Sequence, residues 1–388
     1  MDFLQSPEHR DLRAAVASIA GHFGGAYYVE HAESGTPTTE LWAQMGKAGF
    51  IGVNVPAEYG GGGGGLVELA IVCEELGAAG CPLLLLVVSA AISVEVIAKY
   101  GSPEMREEFL SGLATGERKI VFAITEPDAG SNSRNISTTA QRVSGVGEGD
   151  HWVLRGTKYY ISGIDEADQV LVVARTGTDA SGQGLLSLFL VDTDAPGLTA
   201  NALPVGIRLP DKQFTLFFDD VRVPASRLIG VEHEGFKQVF HGLNPERITG
   251  AALCVGVGRY ALDKAARYAN ERSVWGRPIG AHQGVAHPLA AAKVEVELAG
   301  LMTAKAAWLH DAGLPAGSCA NMAKYAAAEA GLAAVDAAIQ THGGNGFSTE
   351  FGLIPYWGMA RLLRVAPVNR EMILNHVAQH DLGLPKSY

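Results

Sequence analysis

The sequence has few of the features that disulfide-bonded, metal-binding, nucleic-acid-binding or membrane-spanning proteins need. Only four cysteines occur among 388 residues, without a Cys-x-x-Cys spacing, so we expect small buried thiols rather than a disulfide or zinc framework. Basic residues number 30 against 41 acidic residues, with no basic run, so no nucleic-acid or anionic-membrane partner is expected. The longest apolar run, 82–94, ends at Glu95 before it could cross about 30 Å of hydrocarbon, and it predicts a buried helix.

What is present is the composition of a globular protein. Hydrophobic residues make up 47% of the chain and charged residues 18%, a balance too apolar for a disordered protein. The length allows two or three domains. The first residues, MDFLQSPEHRDLR, carry charges and no apolar signal core, so we expect a cytoplasmic protein.

Hydrophobic periodicity divides the chain into three parts. Apolar residues recur at helical spacing in 1–118, whereas 119–228 contains short β-rich runs separated by turns, typical of a small antiparallel barrel or sandwich. Long alanine-rich helical patterns occupy 229–388, at roughly 235–270, 283–311, 317–342 and 370–380. We therefore predict three domains with these bounds, in the order helical, β, helical.

Two further patterns in the last part do not indicate a site. The string Gly256-Val-Gly258-Arg-Tyr-Ala261 fits the dinucleotide-binding pattern G-x-G-x-x-A, but no strand precedes it. Small residues that let two helices approach closely explain it better. His376 and His380 could face a metal from one side of a helix, but no third ligand is evident, so we predict no metal site.

Four segments carry residues that suit a cofactor. Segment 123–132 ends a strand in a turn, where the hydroxyls of Thr125 and Ser131 and exposed N–H groups could contact the polar edge of a ring cofactor or a phosphate. A simple polar turn is the alternative for this segment. Segment 156–163 places an aromatic ring and a hydroxyl two residues apart on one face of a strand. Segment 272–283 joins two helices, and segment 340–346 ends a helix in glycines, whose backbone amides can lie against an anion.

In this order and spacing, the four segments closely resemble the acyl-CoA dehydrogenase family over essentially the whole chain. The resemblance implies an α+β multidomain fold with an N-terminal helical domain, a middle antiparallel β-barrel and a C-terminal four-helix bundle. It also implies a homotetramer that binds FAD and carries out α,β-dehydrogenation of an acyl-CoA. In that reaction a carboxylate removes the α-proton, the β-hydrogen leaves as hydride to flavin N5, and an electron-transferring flavoprotein reoxidises the flavin.

The resemblance transfers cofactor contacts to particular residues. Positions that match flavin contacts are Ile124, Thr125, Gly130, Ser131, Tyr160 and Ser162, with Ser131 also near the CoA arm and Tyr160 where the family usually has Trp. Positions that match contacts to the FAD pyrophosphate and adenosine, partly from a neighbouring subunit, are Arg272, Trp275, Gln283, Gln340, Gly343 and Gly344. A guanidinium at Arg272 suits a pyrophosphate because its donors form a fixed fork.

The catalytic base is not at the position most relatives use. A count of 23 residues from Gly344 reaches Pro367, which has no carboxylate. The isovaleryl- and long-chain-acyl-type branches instead carry a glutamate directly before an arginine, as in Glu246-Arg247 here. We therefore predict Glu246 as the base, with Arg247 near the CoA arm and Asn244 near the pantetheine. The alternative is that Glu246 is a first-turn glutamate favoured by the helix dipole, with Pro245 at an initial helical position.

Residue 367 also bears on the oxyanion site. In relatives the backbone N–H at this position and the flavin ribityl hydroxyl bind the thioester oxygen, and proline has no N–H. We expect the backbone N–H of Ala366 or Val368, or an ordered water, to replace it. The alternative is that Pro367 starts the next helix and the count is one residue out. Glu371, the nearest downstream carboxylate, is expected in the first turn of a helix capped by Asn369.

Three other functions stay open at this point. An acyl-carrier-protein thioester presents the same phosphopantetheine arm as an acyl-CoA. Flavin monooxygenases and nitroalkane oxidases share the fold, although the monooxygenases dispense with the carboxylate. A non-catalytic subunit that keeps FAD for structure is the third.

Overall fold

The structure, a computed structural model, describes residues 5–144 and 149–386. Its first part is helical, as predicted. Within the apolar run 82–94, a π-helical turn, Leu86–Ala90, continues into a helix, and most side chains of the run are buried. The helices are α1 (Pro7–Ser34), α2 (Thr39–Lys47), α3 (Leu66–Ala78), α4 (Ala91–Tyr100) and α5 (Pro103–Thr115).

The middle part forms an eight-stranded sheet within the described residues. Its strands are β1 (Ile120–Ala123), β2 (Thr139–Val143), β3 (His151–Ser162), β4 (Gln169–Thr178), β5 (Gly184–Asp192), β6 (Leu198–Ala202), β7 (Gln213–Pro224) and β8 (Leu228–Ile229). The order is β6-β7-β3-β2-β4-β5-β8, with β1 also paired to β4. The β1–β4 and β2–β4 pairs are parallel and the others antiparallel. The sequence predicts only the antiparallel pairs, because a parallel pair depends on a crossover that no local pattern reports.

The last part is a bundle of long helices, as predicted. Its elements are α6 (Gly235–Glu271), a hairpin of β9 (Ser273–Val274) and β10 (Arg277–Pro278), α7 (Gln283–Asp311), α8 (Gly317–His342), α9 (Ile354–Val365) and α10 (Arg370–His376). The bounds of α6, α7 and α8 agree with the predicted patterns to within one residue. Helix α9 was not predicted, although Tyr356, Met359 and Leu363 are buried at helical spacing.

Glycines hold α6 close to its neighbours. A Cβ on Gly256 would lie 2.1 Å from the carbonyl oxygen of Glu74 in α3, and one on Gly258 would lie 2.9 Å from Val296 in α7. A Cβ on Gly331 of α8 would lie 2.7 Å from the carbonyl oxygen of Cys254. The interpretation of the Gly256 string as a helix-packing feature is therefore confirmed. Tight packing on three sides fixes where α6 places its side chains.

Two sequence-level expectations concern the core. Cys73, Cys81 and Cys254 are buried free thiols, as predicted, whereas Cys319 is half-buried. Among the described residues, none of the helices combines the length and the hydropathy that a bilayer crossing requires.

Candidate functional site

Glu246 lies well inside α6, about three turns from its start at Gly235. Pro245 is likewise inside the helix. The alternative of a first-turn glutamate is therefore wrong: the helix begins ten residues before Pro245, beyond the reach of the terminal partial charge. Another reason must account for a carboxylate at this position.

The carboxyl group of Glu246 is buried and incompletely bonded. The residue is 5% exposed, and its Oε2 atom has no hydrogen-bond partner within the described chain. Burial raises the pKa of Glu246 to about 8, while the charges of Arg247 and Lys324 act in the opposite direction. A buried, unpartnered carboxyl with a raised pKa is costly to folding, and such groups are found at functional sites.

The surroundings of Glu246 are apolar on one side and polar on the other. A Cβ on Gly250, one turn along α6, would lie 3.6 Å from Leu363 of α9 and 3.7 Å from Val87. On the polar side, the buried Arg247 donates from Nη1 to Oδ1 of Asn244 over 2.8 Å. Asn244 and Arg247 thus lie beside Glu246 on α6, and their contacts with a CoA arm and pantetheine stay predictions.

The link between α9 and α10 corrects one prediction. Ala366 is extended, with φ −107° and ψ 158°, but its N–H donates to the carbonyl of Leu362 over 2.8 Å. This N–H is therefore not available as an oxyanion donor, because the end of α9 already uses it. The Ala366–Pro367 peptide bond is cis.

Helix α10 begins after this link, not at Pro367. Asn369 is its N-cap, and its Oδ1 accepts from the N–H of Met372 over 2.8 Å. Glu371 is an exposed residue of the first turn. The predicted cap and the predicted place of Glu371 are confirmed, and the alternative that Pro367 starts the helix is wrong.

Asn369 also connects the link to the middle part of the chain. Its Nδ2 donates to Oγ of Ser131 over 2.8 Å. On the other side of the link, Nζ of Lys324 in α8 donates to the carbonyl oxygen of Val368. Ser131, the link, Lys324 and Glu246 therefore belong to one region. Sequence reasoning missed Lys324, although it interrupts the buried alanine stripe of α8.

A buried ion pair supports the segment that contains Ile124 and Thr125. Lys158 is fully buried, and its Nζ donates to the carbonyl of Ile124 over 3.0 Å and to Oε1 of Glu126 over 2.9 Å. Burial alone would raise the pKa of Glu126, but the ammonium of Lys158 and several hydrogen bonds lower it to about 2. The N–H of Tyr159 holds the carbonyl of Thr125 over 2.8 Å. Both carbonyls are therefore fixed, which makes this segment a rigid edge.

Tyr160 departs from the regular strand that the sequence predicts. Its φ is 57°, and the β3–β7 register shifts between Lys158 and Ile161. Strand alternation therefore does not set a common face for Tyr160 and Ser162. Tyr160 is 55% exposed and presents its ring to solvent, whereas Ser162 donates to Oε1 of Gln213 over 2.9 Å.

A second group of predicted residues meets around one cavity. The cavity has a volume of about 310 Å³. Its lining includes Tyr268, Arg272, Gln340, Gly343 and Gly344. Tyr268, which the sequence analysis missed, stacks on the ring of His342 at a centroid distance of 4.2 Å. The cavity therefore combines a guanidinium, an amide, an aromatic ring and the glycines that end α8.

Two glycines in these groups fit a bound cofactor. Nothing in the described chain lies within 4 Å of a Cβ built on Gly344 or Gly130, and neither has the positive φ that favours glycine. The chain's own atoms therefore give no reason for a missing side chain at these positions. A ligand that approaches the backbone closely would explain why these positions carry no side chain. The open space beside Gly130 and Gly344 therefore leaves room for a bound cofactor at each position.

Two predicted cofactor residues lie outside both groups. Trp275 is in the β9–β10 hairpin and is 88% exposed. Gln283 is exposed at the start of α7. Neither lines the cavity beside Arg272. A contact from these residues to the FAD pyrophosphate or adenosine, in the same or a neighbouring subunit, stays a prediction.

Comparisons with known proteins match the whole length of the chain. Three domain descriptions match it, namely acyl-CoA dehydrogenase N-terminal domain over 6–117, middle domain over 121–221 and C-terminal domain over 233–381. The acyl-CoA dehydrogenase FadE12 of Mycobacterium tuberculosis is 52% identical over 388 residues, which is 100% of this chain and 99% of that protein.

Solved structures agree with this match. The glutaryl-coenzyme A dehydrogenase–glutaryl-CoA complex has a TM-score of 0.93 and 32% identity, covering 100% of this chain and 98% of that one. The FAD complex of PigA has a TM-score of 0.90 and 28% identity, covering 99% of this chain and 100% of that one.

Proposed function

Because the chain belongs to the acyl-CoA dehydrogenase family, we propose that it oxidises the Cα–Cβ bond of an acyl-CoA with Glu246 as the base. The observation that carries this proposal is the carboxyl of Glu246, which is buried, unpartnered at Oε2 and raised in pKa to about 8. A base near neutrality is suited to removing a proton at ordinary pH.

The cofactor of the enzyme is FAD. When bound, it supplies the acceptor for the hydride that leaves the β-carbon. The rigid edge at Ile124 and Thr125, with Gly130, Ser131, Tyr160 and Ser162, would hold its ring end. Arg272, Gln340, Gly343 and Gly344 would hold its pyrophosphate and adenosine.

Proton removal and binding of the thioester oxygen are assigned to residues of the chain itself. Glu246 takes the α-proton onto a carboxylate oxygen, in apolar surroundings that strengthen electrostatic interactions. Pro367 cannot donate to the thioester oxygen, and the N–H of Ala366 is used by α9. We therefore assign the backbone donor to the N–H of Val368, with an ordered water as the alternative.

A line of two aromatic rings between two guanidinium groups supports a CoA arm as the far part of the substrate. The guanidinium of Arg247 lies 6.0 Å from the ring of Phe240, which is 4.8 Å from the ring of Phe236. The guanidinium of Arg134 lies 4.5 Å from Phe236 on the other side. Rings suit the pantetheine and the exposed Arg134 suits a phosphate, so the line fits CoA from thioester to nucleotide.

The proposal is tested by anaerobic mixing of the FAD enzyme with a panel of acyl-CoAs and the matching acyl-carrier proteins. We expect the flavin absorbance of the wild-type enzyme to bleach with at least one apolar acyl-CoA. Bleaching by acyl-carrier proteins alone would move the activity to that thioester. No bleaching with any thioester, together with fast reaction of photoreduced enzyme with O₂, would favour a monooxygenase or oxidase instead.

We also infer that the enzyme is a homotetramer that passes its electrons to an electron-transferring flavoprotein. Helix α7 supports the oligomer, because one of its faces carries large apolar side chains that are each more than half exposed. They are Val294, Leu298, Leu301 and Trp308. An apolar stripe of this kind on a long helix marks a protein interface, and a second copy of the chain would cover it.

Leu298→Asp is expected to break this oligomer, because it places a charge in the centre of the apolar stripe. We expect the wild type to sediment as four chains of 40.7 kDa and Leu298→Asp as smaller species with reduced FAD content. Val205→Asp changes an exposed apolar residue outside α7 and should leave the mass unchanged. A wild-type monomer with stoichiometric FAD would contradict the inference.

A further inference from the structure

Lys324 is a buried cation that the mechanism above does not use. It is 3% exposed and lies on the buried face of α8. Its ammonium donates to the carbonyl oxygen of Val368, in the link that separates α9 from α10. A lysine is rarely buried to this extent without a partner that needs its charge.

The charges around Lys324 and Glu246 come from two helices. Arg247 acts on Glu246 from α6 itself, and Lys324 acts on it from α8. The pKa of Lys324 in turn depends on Cys254, Glu246 and Arg247 of α6 and on Glu329 of its own helix. The other neighbours of this face of α6, Leu363 of α9 and Val87, are apolar. Lys324 is therefore the one charged group that another element brings to Glu246 within the described residues.

We propose that Lys324 is a positioning residue for the dehydrogenation, which holds the 366–369 link by the carbonyl of Val368 and places a positive charge beside the carboxyl of Glu246. This inference rests on the proposed function, because it gives Lys324 its role through Glu246 and the link.

The first half of the role follows from the hydrogen bonds of the link. Pro367 has no N–H and the N–H of Ala366 closes α9, so Val368 is the first residue of the link whose N–H is left to face a substrate. Its own carbonyl is fixed by Lys324, and the next residue, Asn369, is fixed by Ser131 and Met372. Without Lys324 the carbonyl of Val368 would lose this side-chain donor, and the Val368–Asn369 peptide beside the Val368 N–H would be held less firmly.

The second half follows from the sign of the charge. A base acts when it is ionised, and a nearby positive charge favours ionised Glu246. Burial lowers the pKa of Lys324 to about 8, and Arg247 also lowers it, whereas negative charge on Cys254, Glu246 or Glu329 raises it. A positive charge on Lys324 lowers the pKa of Glu246, so loss of that charge should raise it. The acid limb of kcat/KM should move to higher pH accordingly.

Three substitutions separate the two halves. Lys324→Arg keeps both the charge and the donor, Lys324→Gln keeps a donor without the charge, and Lys324→Met keeps neither. We expect the acid limb of kcat/KM to shift up by about one pH unit in Lys324→Gln and Lys324→Met, with about tenfold lower kcat/KM at pH 7. Lys324→Arg should retain the wild-type limb. Lys324→Met should also lose kcat at high pH, where Glu246 is ionised in every variant.

A second measurement needs no turnover. The infrared C=O band of the protonated Glu246 carboxyl, identified by its absence in Glu246→Gln, reports the pKa of this group in the substrate-free enzyme. The same upward shift should be seen for Lys324→Gln and not for Lys324→Arg. Equal titration midpoints of the Glu246 carboxyl in all three variants and the wild type would overturn the role of the charge. This holds even if acyl-CoA still bleaches the wild-type flavin. Failure of that bleaching would overturn the proposed function separately. Equal kcat at high pH in Lys324→Met and Lys324→Gln would overturn the positioning of the link.

Discussion

Glu246→Gln is expected to purify as a folded, yellow protein whose turnover is lower by about 10²–10⁴-fold, the usual cost of losing a general base. The substitution keeps the shape of the side chain and removes only its ability to accept a proton. The loss should appear in kcat as well as in kcat/KM, because Glu246 accepts the proton in the transition state and not when the substrate first binds. Anaerobic single-turnover bleaching by an acyl-CoA, compared with the wild type, measures it directly.

Glu371→Gln is the matched control. Glu371 carries the same functional group, and it is the nearest carboxylate after Pro367, the base position that the family resemblance implies. It lies exposed in the first turn of α10, so its loss should leave turnover near that of the wild type. Near-wild-type turnover in Glu246→Gln together with a large loss in Glu371→Gln would exchange the two assignments.

The sequence was sufficient to predict features that depend on near neighbours in the chain. The alanine-rich patterns of α6, α7 and α8 end at glycines or turns, so their bounds could be predicted closely. The cap at Asn369 lies within one helical turn of the N–H that it binds, and it could be predicted. Glu246 could be singled out because the expected base position holds Pro367.

Contacts between distant segments could not be predicted in this way. The hydrogen bond between Asn369 and Ser131 joins residues 238 positions apart, and the one between Lys324 and Val368 crosses from α8 to the link. No local pattern reports which side chain meets which carbonyl. The same reason explains the two parallel strand pairs.

Two local features were missed for a different reason. The regular alternation assumed for Tyr160 and Ser162 fails because a left-handed residue and a register shift interrupt β3. The sequence predicts Ala366 as an oxyanion donor because a residue before proline is extended, and it does not show that a helix ends there. Its N–H completes the last turn of α9, and that helix had not been predicted.

The position of Arg272 makes it the strongest candidate for binding the FAD pyrophosphate. It follows α6 directly, and its N–H donates to the carbonyl of Tyr268 over 2.9 Å. Its carbonyl accepts from the N–H of Ile279 over 2.8 Å across the hairpin. The backbone of Arg272 is thus fixed from both sides, and its side chain lines the cavity that also contains Gly343 and Gly344.

Arg272→Ala is therefore expected to bind FAD about 10–100-fold more weakly, since a hydrogen bond to a charged group contributes about 1.5–3 kcal/mol. Arg277→Ala is the control, because Arg277 is exposed in β10 and does not line the cavity. FAD retained per chain after gel filtration and the FAD dissociation constant measure the difference. We also expect Arg272→Ala to shift the oligomer to smaller species, if FAD contacts cross a subunit boundary as the family resemblance implies. Stoichiometric FAD in Arg272→Ala, or equal losses in both variants, would show that Arg272 does not hold the pyrophosphate.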